Sequence, residues 1–391
     1  LSTKEQTFLL TGGRAPATLH FARLLSKAGH RVLVAESNSV HLCKKSKAVS
    51  KTFSVPAPRF EPEKFIQSLE AIIVTEHVDH LVPMCEEVFT VGKYYNVLAN
   101  RCKVWTESGD KLQKVHNKWL FLKEAEGLGN RIPETYLICT QEELIEKVGS
   151  FSANRSWILK PVYSRFASKV VFIQNGEVSL DDYVEITPAF PWLLQEYLLG
   201  KQFCTYSVAD HGKLLAHATY QTTFTAGIGS SITFQPTEQP ELKRDITDWV
   251  SKHGWSGQIA FDWIYTSSGE WVPIECNPRA TSGIHLFMEK DQLELAFTKQ
   301  ELNQVIAPSP RTKQMLSLAM LTYGLANCQS FAQVWDWLKT LSRFRDAVFR
   351  WNDPIPFFYQ LPVLYFMWKQ SINHRIPMTE VSTYDIEWNG D

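Results

Sequence analysis

This sequence has little of what marks several large protein classes. Its 391 residues include seven cysteines (43, 85, 102, 139, 204, 276 and 328), and none of them forms a C-x-x-C pair. An odd, scattered set argues against a disulfide framework or a zinc site, and for reduced thiols in a cytoplasmic protein. There is no charge excess of either sign: Lys+Arg number 40 against 41 Asp+Glu, a formal net charge of -1. That balance gives no sign of nucleic-acid binding, which calls for a basic surplus. The opening "LSTKEQTFLLTGG" carries no long apolar run and no small-residue cleavage signal, so it does not read as a signal peptide.

Long hydrophobic runs are also lacking. The most apolar segment, "IPFFYQLPVLYFMW" (355–368), contains Pro356 and Pro362 and is too short to span a bilayer. It reads as a buried C-terminal element or a subunit contact, with a homodimer left open. A membrane-surface contact is the alternative. No Walker A, H-E-x-x-H or G-x-S-x-G sequence occurs, which argues against P-loop NTPases, zincins and serine hydrolases of the familiar kinds.

Residues 7–107 alternate in the α/β manner. "TFLLTGG" reads as a buried strand, "ATLHFARLLSKAGH" as a helix, and "RVLVAES" and "DHLVPMC" as further strands. A single helix is expected over 108–129, capped by Ser108. Strands follow at 156–162, 168–176, 192–198, 203–220 and 258–277, with a helix at 240–254 between the last two. The stretch "APSPRTKQ" after 307 reads as a linker to a helical remainder. The expected organisation is a parallel-sheet α/β domain (1–107), a small lobe (108–192), a central lobe (193–307) and a mostly helical C-terminal region (308–391).

The segment "WVPIECNPR" (271–279) is the most informative. Read 258–277 as a hairpin folded about "SSG". A turn centred between Ser268 and Gly269 sets Asp262 directly opposite Glu275 on one face. Ordinary sheet chemistry avoids facing carboxylates. Strand alternation adds Asn277 and Arg279 to the same face. Asp262, Glu275 and Asn277 then offer three oxygen donors of the kind Mg²⁺ takes, and Arg279 stands where a planar cation could clamp a transferring phosphoryl group.

"GQIAFDWIY…GEWVPIECNPR" resembles the metal-binding end of the ATP-grasp superfamily of carboxylate–amine ligases. The resemblance implies ATP held between two lobes, with Mg²⁺ (or Mn²⁺ in its place). It implies a first phosphate lysine at Lys118 in "NKWLFLKEAEGLGNRIP" and a second at Lys160 in "WILKPV". It also implies an adenine- and ribose-contacting hinge in "LLQEYLLGKQ", through Gln195, Glu196, Leu198 and Gln202. Two departures stand out. The loop "YSRFASK" after Lys160 lacks glycine, leaving Ser164, Arg165, Ser168 and Lys169 as candidate phosphate contacts, and Gln195 and Gln202 stand where acids are usual. "GHRVLVAES", "VSKTFSVPAP" and "NDPIPF" are similar to ATP-grasp ligases that join glycine to a cyclohexenone core in mycosporine biosynthesis. The activity implied is phosphorylation of a carboxylate or enol oxygen, followed by coupling to an amine.

Around that core, Arg14 at a helix N-terminus is the candidate grip for a substrate carboxylate. Glu86 and Glu87, at a strand's C-terminal end, could recognise an amine, with surface charge the alternative for at least one of them; Ser282 and His285 could line the acceptor pocket, and "FTAGIGSSITF" (224–234) could cover it or be a plain loop. Two rival readings remain. A non-catalytic nucleotide-binding or interaction protein would explain the missing glycines. An NAD(P)-dependent oxidoreductase would use Gly12–Gly13 and Glu36, although Arg14 and Ala17 stand where its fingerprint needs glycine.

Overall fold

The computed structural model describes residues 4–151, 155–163, 170–173, 185–227, 229–299, 301–388 and 390. Three sheets organise the chain. The first is parallel and five-stranded, with Thr7–Thr11 at its centre, flanked by Arg31–Glu36 then Lys51–Ser54 on one side and His80–Val82 then Lys103–Val104 on the other. Both of its faces are covered. Phe8 and Leu10 enter one core cluster while Leu9, between them, enters another, as the two-residue period of a doubly covered strand requires.

The second sheet is antiparallel, in the order Thr135–Ile138, Trp192–Glu196, Trp157–Pro161, Val171–Ile173. The third, also antiparallel, runs Lys213–Gln221, Gly200–Asp210, Gly257–Thr266, Trp271–Asn277. Helices Pro16–Lys27, Pro62–Glu76 and Pro240–His253 each begin on proline, which fits a first turn whose N–H groups have no intrahelical partner.

Two expectations need correction. The single helix over 108–129 is two helices, Gly109–His116 and Lys118–Gly127, broken at Asn117. The Asn117 side-chain oxygen accepts from Leu120 N at 3.0 Å, so this residue caps the second helix, whereas Ser108 makes no side-chain cap. The apolar segment 355–368 lies within the helix Ile355–His374, of which only Pro356 is buried. It is therefore not the buried element expected. Among the described residues no helix is long and apolar enough to cross a membrane.

Candidate active site

The break at Asn117 makes Lys118 the first residue of its helix. The Lys118 amide donates to Val162 O at 3.4 Å, tying that helix start to the end of the strand Trp157–Pro161. In this strand Trp157 and Leu159 point into the core of the second sheet, so alternation turns Lys160 to the other face. Both lysines are buried, Lys118 at 2% and Lys160 at 6% exposure. Lys118 Nζ lies 3.8 Å from Glu275 Oε1. Burial, together with the like charge of Lys118, lowers the Lys160 ammonium to about 8, partly offset by Glu275 and Asp262.

The acidic hairpin brings Asp262 opposite Glu275 as expected, by a different route. From Tyr265–Trp271 to Trp263–Pro273 the strands pair one residue out of the expected register. A bulge between Asp262 and Trp263 then restores it, and leaves Ile274 as the extra residue. Pro273 explains the position, because it has no N–H for the ladder and proline in sheets is confined to edges and bulges. Past the bulge, Cys276 is buried while Glu275 and Asn277 face the site. Burial and the neighbouring Glu275 push the Asp262 carboxyl up to about 6. Asn277 Nδ2 donates to Asp262 Oδ2 at 3.4 Å, and Arg279 Nη2 donates to Asn277 Oδ1 at 3.3 Å.

Arg279 reaches back to the parallel sheet: its Nε donates to Glu86 Oε1 at 2.8 Å. Burial opposes its charge, but Glu86 holds the guanidinium above its usual range. Glu86 is thus engaged by Arg279 rather than displayed to an amine. Arg14 is also taken. It meets Glu36 and, through Nη1 and Nη2, both carboxylate oxygens of Asp385 at 2.5 and 2.8 Å. It does not offer an open fork to a substrate carboxylate, and Glu36 is not free for a ribose hydroxyl. His285 is buried edge-on against His20, ring centres 5.0 Å apart. Burial, then Arg350 and Arg23, lowers it to about 3, so it is a neutral core residue and not part of an open pocket. Ser282 is half-buried and opens the short turn Ser282–Leu286.

The hinge residues follow one another along the link between the two antiparallel sheets. Gln195 is buried, its Nε2 donating to Thr135 Oγ1 at 3.0 Å. Glu196 Oε2 accepts from Glu134 N at 3.4 Å. Leu198 is half-buried between the strands, and Gln202 pairs with Ile264 in the third sheet. Ser164, Arg165, Ser168 and Lys169 lie outside the described residues. Thr223, Phe224 and Thr225, from the 224–234 region and its edge, line a cavity of about 550 Å³ together with Lys313, Lys339 and Arg343; none of the residues expected to bind nucleotide or metal lines it.

One part of the site was missed. The ladder pairs Tyr220 with Cys204, Cys204 with Asp262, and Asp262 with Glu275. These four side chains therefore form one row across the third sheet. Burial, then Asp262, holds the Cys204 thiol neutral. The "DHG" turn alone would set Cys204 opposite Thr219, Tyr220 meeting it only through a register shift at Val208 and Ala209, and nothing local in the sequence pairs Cys204 with Asp262. Among the described residues no group of three or more His, Cys, Asp and Glu is gathered as for a metal held by protein alone.

Residues 115–283 match the family model of the ATP-grasp domain, and the chain carries such a domain over that stretch. An uncharacterized protein of Methanocaldococcus jannaschii is 25% identical over 174 residues, spanning 43% of this chain and 42% of that protein, less than half its length. N5-carboxyaminoimidazole synthetase from Staphylococcus aureus has a similar structure, with a TM-score of 0.61 at 13% identity over 80% of this chain and 82% of that one. L-amino acid ligase from Bacillus licheniformis is similar at a TM-score of 0.56 and 14% identity, over 77% and 76% of the two chains. At these identities the likeness is one of fold.

Proposed function

We propose that the chain is an ATP-dependent ligase that phosphorylates a carboxylate, or an enol oxygen, and couples it to an amine. The observation that carries this reading is two buried lysines, Lys118 and Lys160, set against two facing carboxylates, Asp262 and Glu275. Each pair repels itself, and the ligand that relieves both carries phosphates together with a divalent cation. Asp262, Glu275 and the Asn277 amide are hard oxygen donors. Such a short set suits Mg²⁺, whose shell is otherwise completed by phosphate oxygens and water. Burial first and Glu275 second push the Asp262 carboxyl up, against the pull of Arg279 and Lys118.

In this reading Lys118 and Lys160 neutralise the phosphate oxygens, and Gln195, Glu196, Leu198 and Gln202 hold the base and ribose. Bound Mg²⁺ supplies further charge neutralisation at the terminal phosphates. Arg279, oriented by Glu86 and Asn277, stabilises charge on the transferring group. The γ-phosphoryl moves to the acceptor oxygen, leaving ADP; the amine then displaces phosphate and gives up a proton. Catalysis of this kind is mostly positioning and charge neutralisation, and needs no protein nucleophile.

The test is Mg²⁺-dependent phosphate release from ATP in a screen of pooled carboxylates and amines, with Glu275→Ala as the control. Release that requires both an acid and an amine is expected. Equal release by Glu275→Ala would overturn the assignment.

A further inference from the structure

The helix Ile355–His374 is apolar nearly all round. Its sequence carries no charged residue from Ile355 to Trp368. A helix of that kind is normally covered on all sides, yet here only one side is. Phe357 and Val363 pack against the core cluster that includes Leu42 and Cys43. The opposite side is bare: Phe358, Leu361 and Tyr365 are 63%, 64% and 65% exposed, and Ile355, Trp368 and Ile372 continue the stripe. Steps of three and four residues place these six on one face. A chain of ring contacts, Trp351 to Phe349 to Phe357 to Phe358, extends the patch to Trp351, which is 90% exposed.

We infer that this face is a homodimer interface, in which the helix packs against the same helix of a second copy. Area argues for it. Taking about 150–250 Å² for each aromatic side chain, the exposed part of the stripe with Trp351 comes to roughly 900 Å². The largest apolar patch on an ordinary monomer is roughly 300–600 Å², and a stable dimer buries roughly 800 Å² per partner. Charge argues for it as well. A surface that meets its own copy brings every charge against its like near the two-fold axis, and this stretch has none to repel. The near-3.5-residue spacing of the stripe suits two helices crossing at a shallow angle. The midpoint of the stripe falls between Leu361 and Tyr365, so the axis passes there and the two helices run antiparallel. This interface does not depend on the nucleotide site.

Sedimentation equilibrium of the full chain tests the inference. Wild type sediments at twice the chain mass in the micromolar range. Tyr365→Lys and Tyr365→Glu each weaken the dimer at least about 100-fold, since each variant sets like charges together across the axis. An equimolar mixture of the two restores the dimer. Unchanged far-UV circular dichroism in both variants separates loss of the interface from loss of the fold. A monomeric wild type, or variants that dimerise as wild type does, would overturn the inference. So would a monomer that binds phosphatidylcholine vesicles through Trp368, which would assign the face to a lipid surface.

Discussion

Replacing Asp262 with Asn should stabilise the ligand-free protein while removing its proposed metal site. The Asp262 carboxyl moves from an ordinary 3.8 to about 6 in the folded chain, through burial first and Glu275 second. A displacement of that size corresponds to roughly 3 kcal/mol against the ionised form. Asp262 is half-buried by its surface, and its loss also removes a partner of Lys160. About 1–2 kcal/mol should therefore remain as net stabilisation, or a few degrees in Tm. The sign follows from proton linkage. The folded state holds a proton at Asp262 that the unfolded chain has released between pH 4 and 6, so the contribution of the protonated group is present below 3.8 and lost as pH rises through about 6. Asp262→Asn should thus melt higher than wild type at pH 7.5, and the gap should close toward pH 5. The assay is thermal unfolding at both pH values without nucleotide or divalent ion. A variant that melts lower than wild type at pH 7.5, or a gap independent of pH, would refute the reasoning.

Three further outcomes follow from particular contacts. Lys160 titrates near 8 in the free protein, and an anion beside it restores its charge. Nucleotide binding at pH 8.5 should therefore take up roughly three quarters of a proton, read by calorimetry in buffers of different ionisation enthalpy, and Lys160→Met should abolish the uptake. Asp385→Ala should destabilise by about 1–3 kcal/mol, less than a buried pair broken outright, because Glu36 still holds Arg14; a cycle with Arg14→Met should be strongly non-additive. Against the push of burial, Arg14 holds the Glu36 and Asp385 carboxyls below their usual range, so this stabilisation is present at neutral pH and lost as pH falls through their folded values. Gly12→Ala should cost at least about 2 kcal/mol in denaturant unfolding, because Gly12 has φ +64° and an added Cβ would stand 2.6 Å from Cys85 Sγ.

What could be read from the sequence was local and periodic. The strands of the parallel sheet, the strand that carries Lys160 and the facing carboxylates all follow from alternation and turn residues acting within one strand or one hairpin. Even there two departures offset each other: the hairpin pairs one residue out of the expected register, and the bulge at Pro273 and Ile274 restores it before Asp262. The helix break at Asn117 was hidden because no Gly or Pro punctuates it, while a cap depends on one side-chain bond. The surroundings of Arg14 and His285 were hidden for another reason. Their partners, Asp385 and His20, lie hundreds of positions away in the chain, and no local pattern announces such a meeting. Cys204 entered the site in the same way, through a strand pairing with Asp262 that spans 58 positions.

The arrangement of charge carries a consequence for binding. Lys118 and Lys160 form one self-repelling pair and Asp262 and Glu275 another, joined across the site by the 3.8 Å approach of Lys118 to Glu275. An anion alone would relieve the lysines but bring its own charge against the carboxylates. A divalent cation alone would relieve the carboxylates but face the lysines. Layers of alternating sign arise only when both arrive, so the two should bind cooperatively. Because coupling between sites is reciprocal, Mg²⁺ should tighten ADP by the same factor by which ADP tightens Mg²⁺, beyond the affinity of the two for each other in water. Thermal shifts measured over a grid of ADP and Mg²⁺ concentrations give that factor once solution complexation is subtracted, and a value of about 10-fold or more is expected. Glu275→Gln keeps the shape of the side chain but removes its charge, so it should improve the binding of metal-free ADP while reducing the coupling. If Glu275→Gln weakened metal-free ADP instead, Glu275 would be serving the nucleotide directly, and the opposition of charges across this site would not be what sets its preference for a metal-bound phosphate.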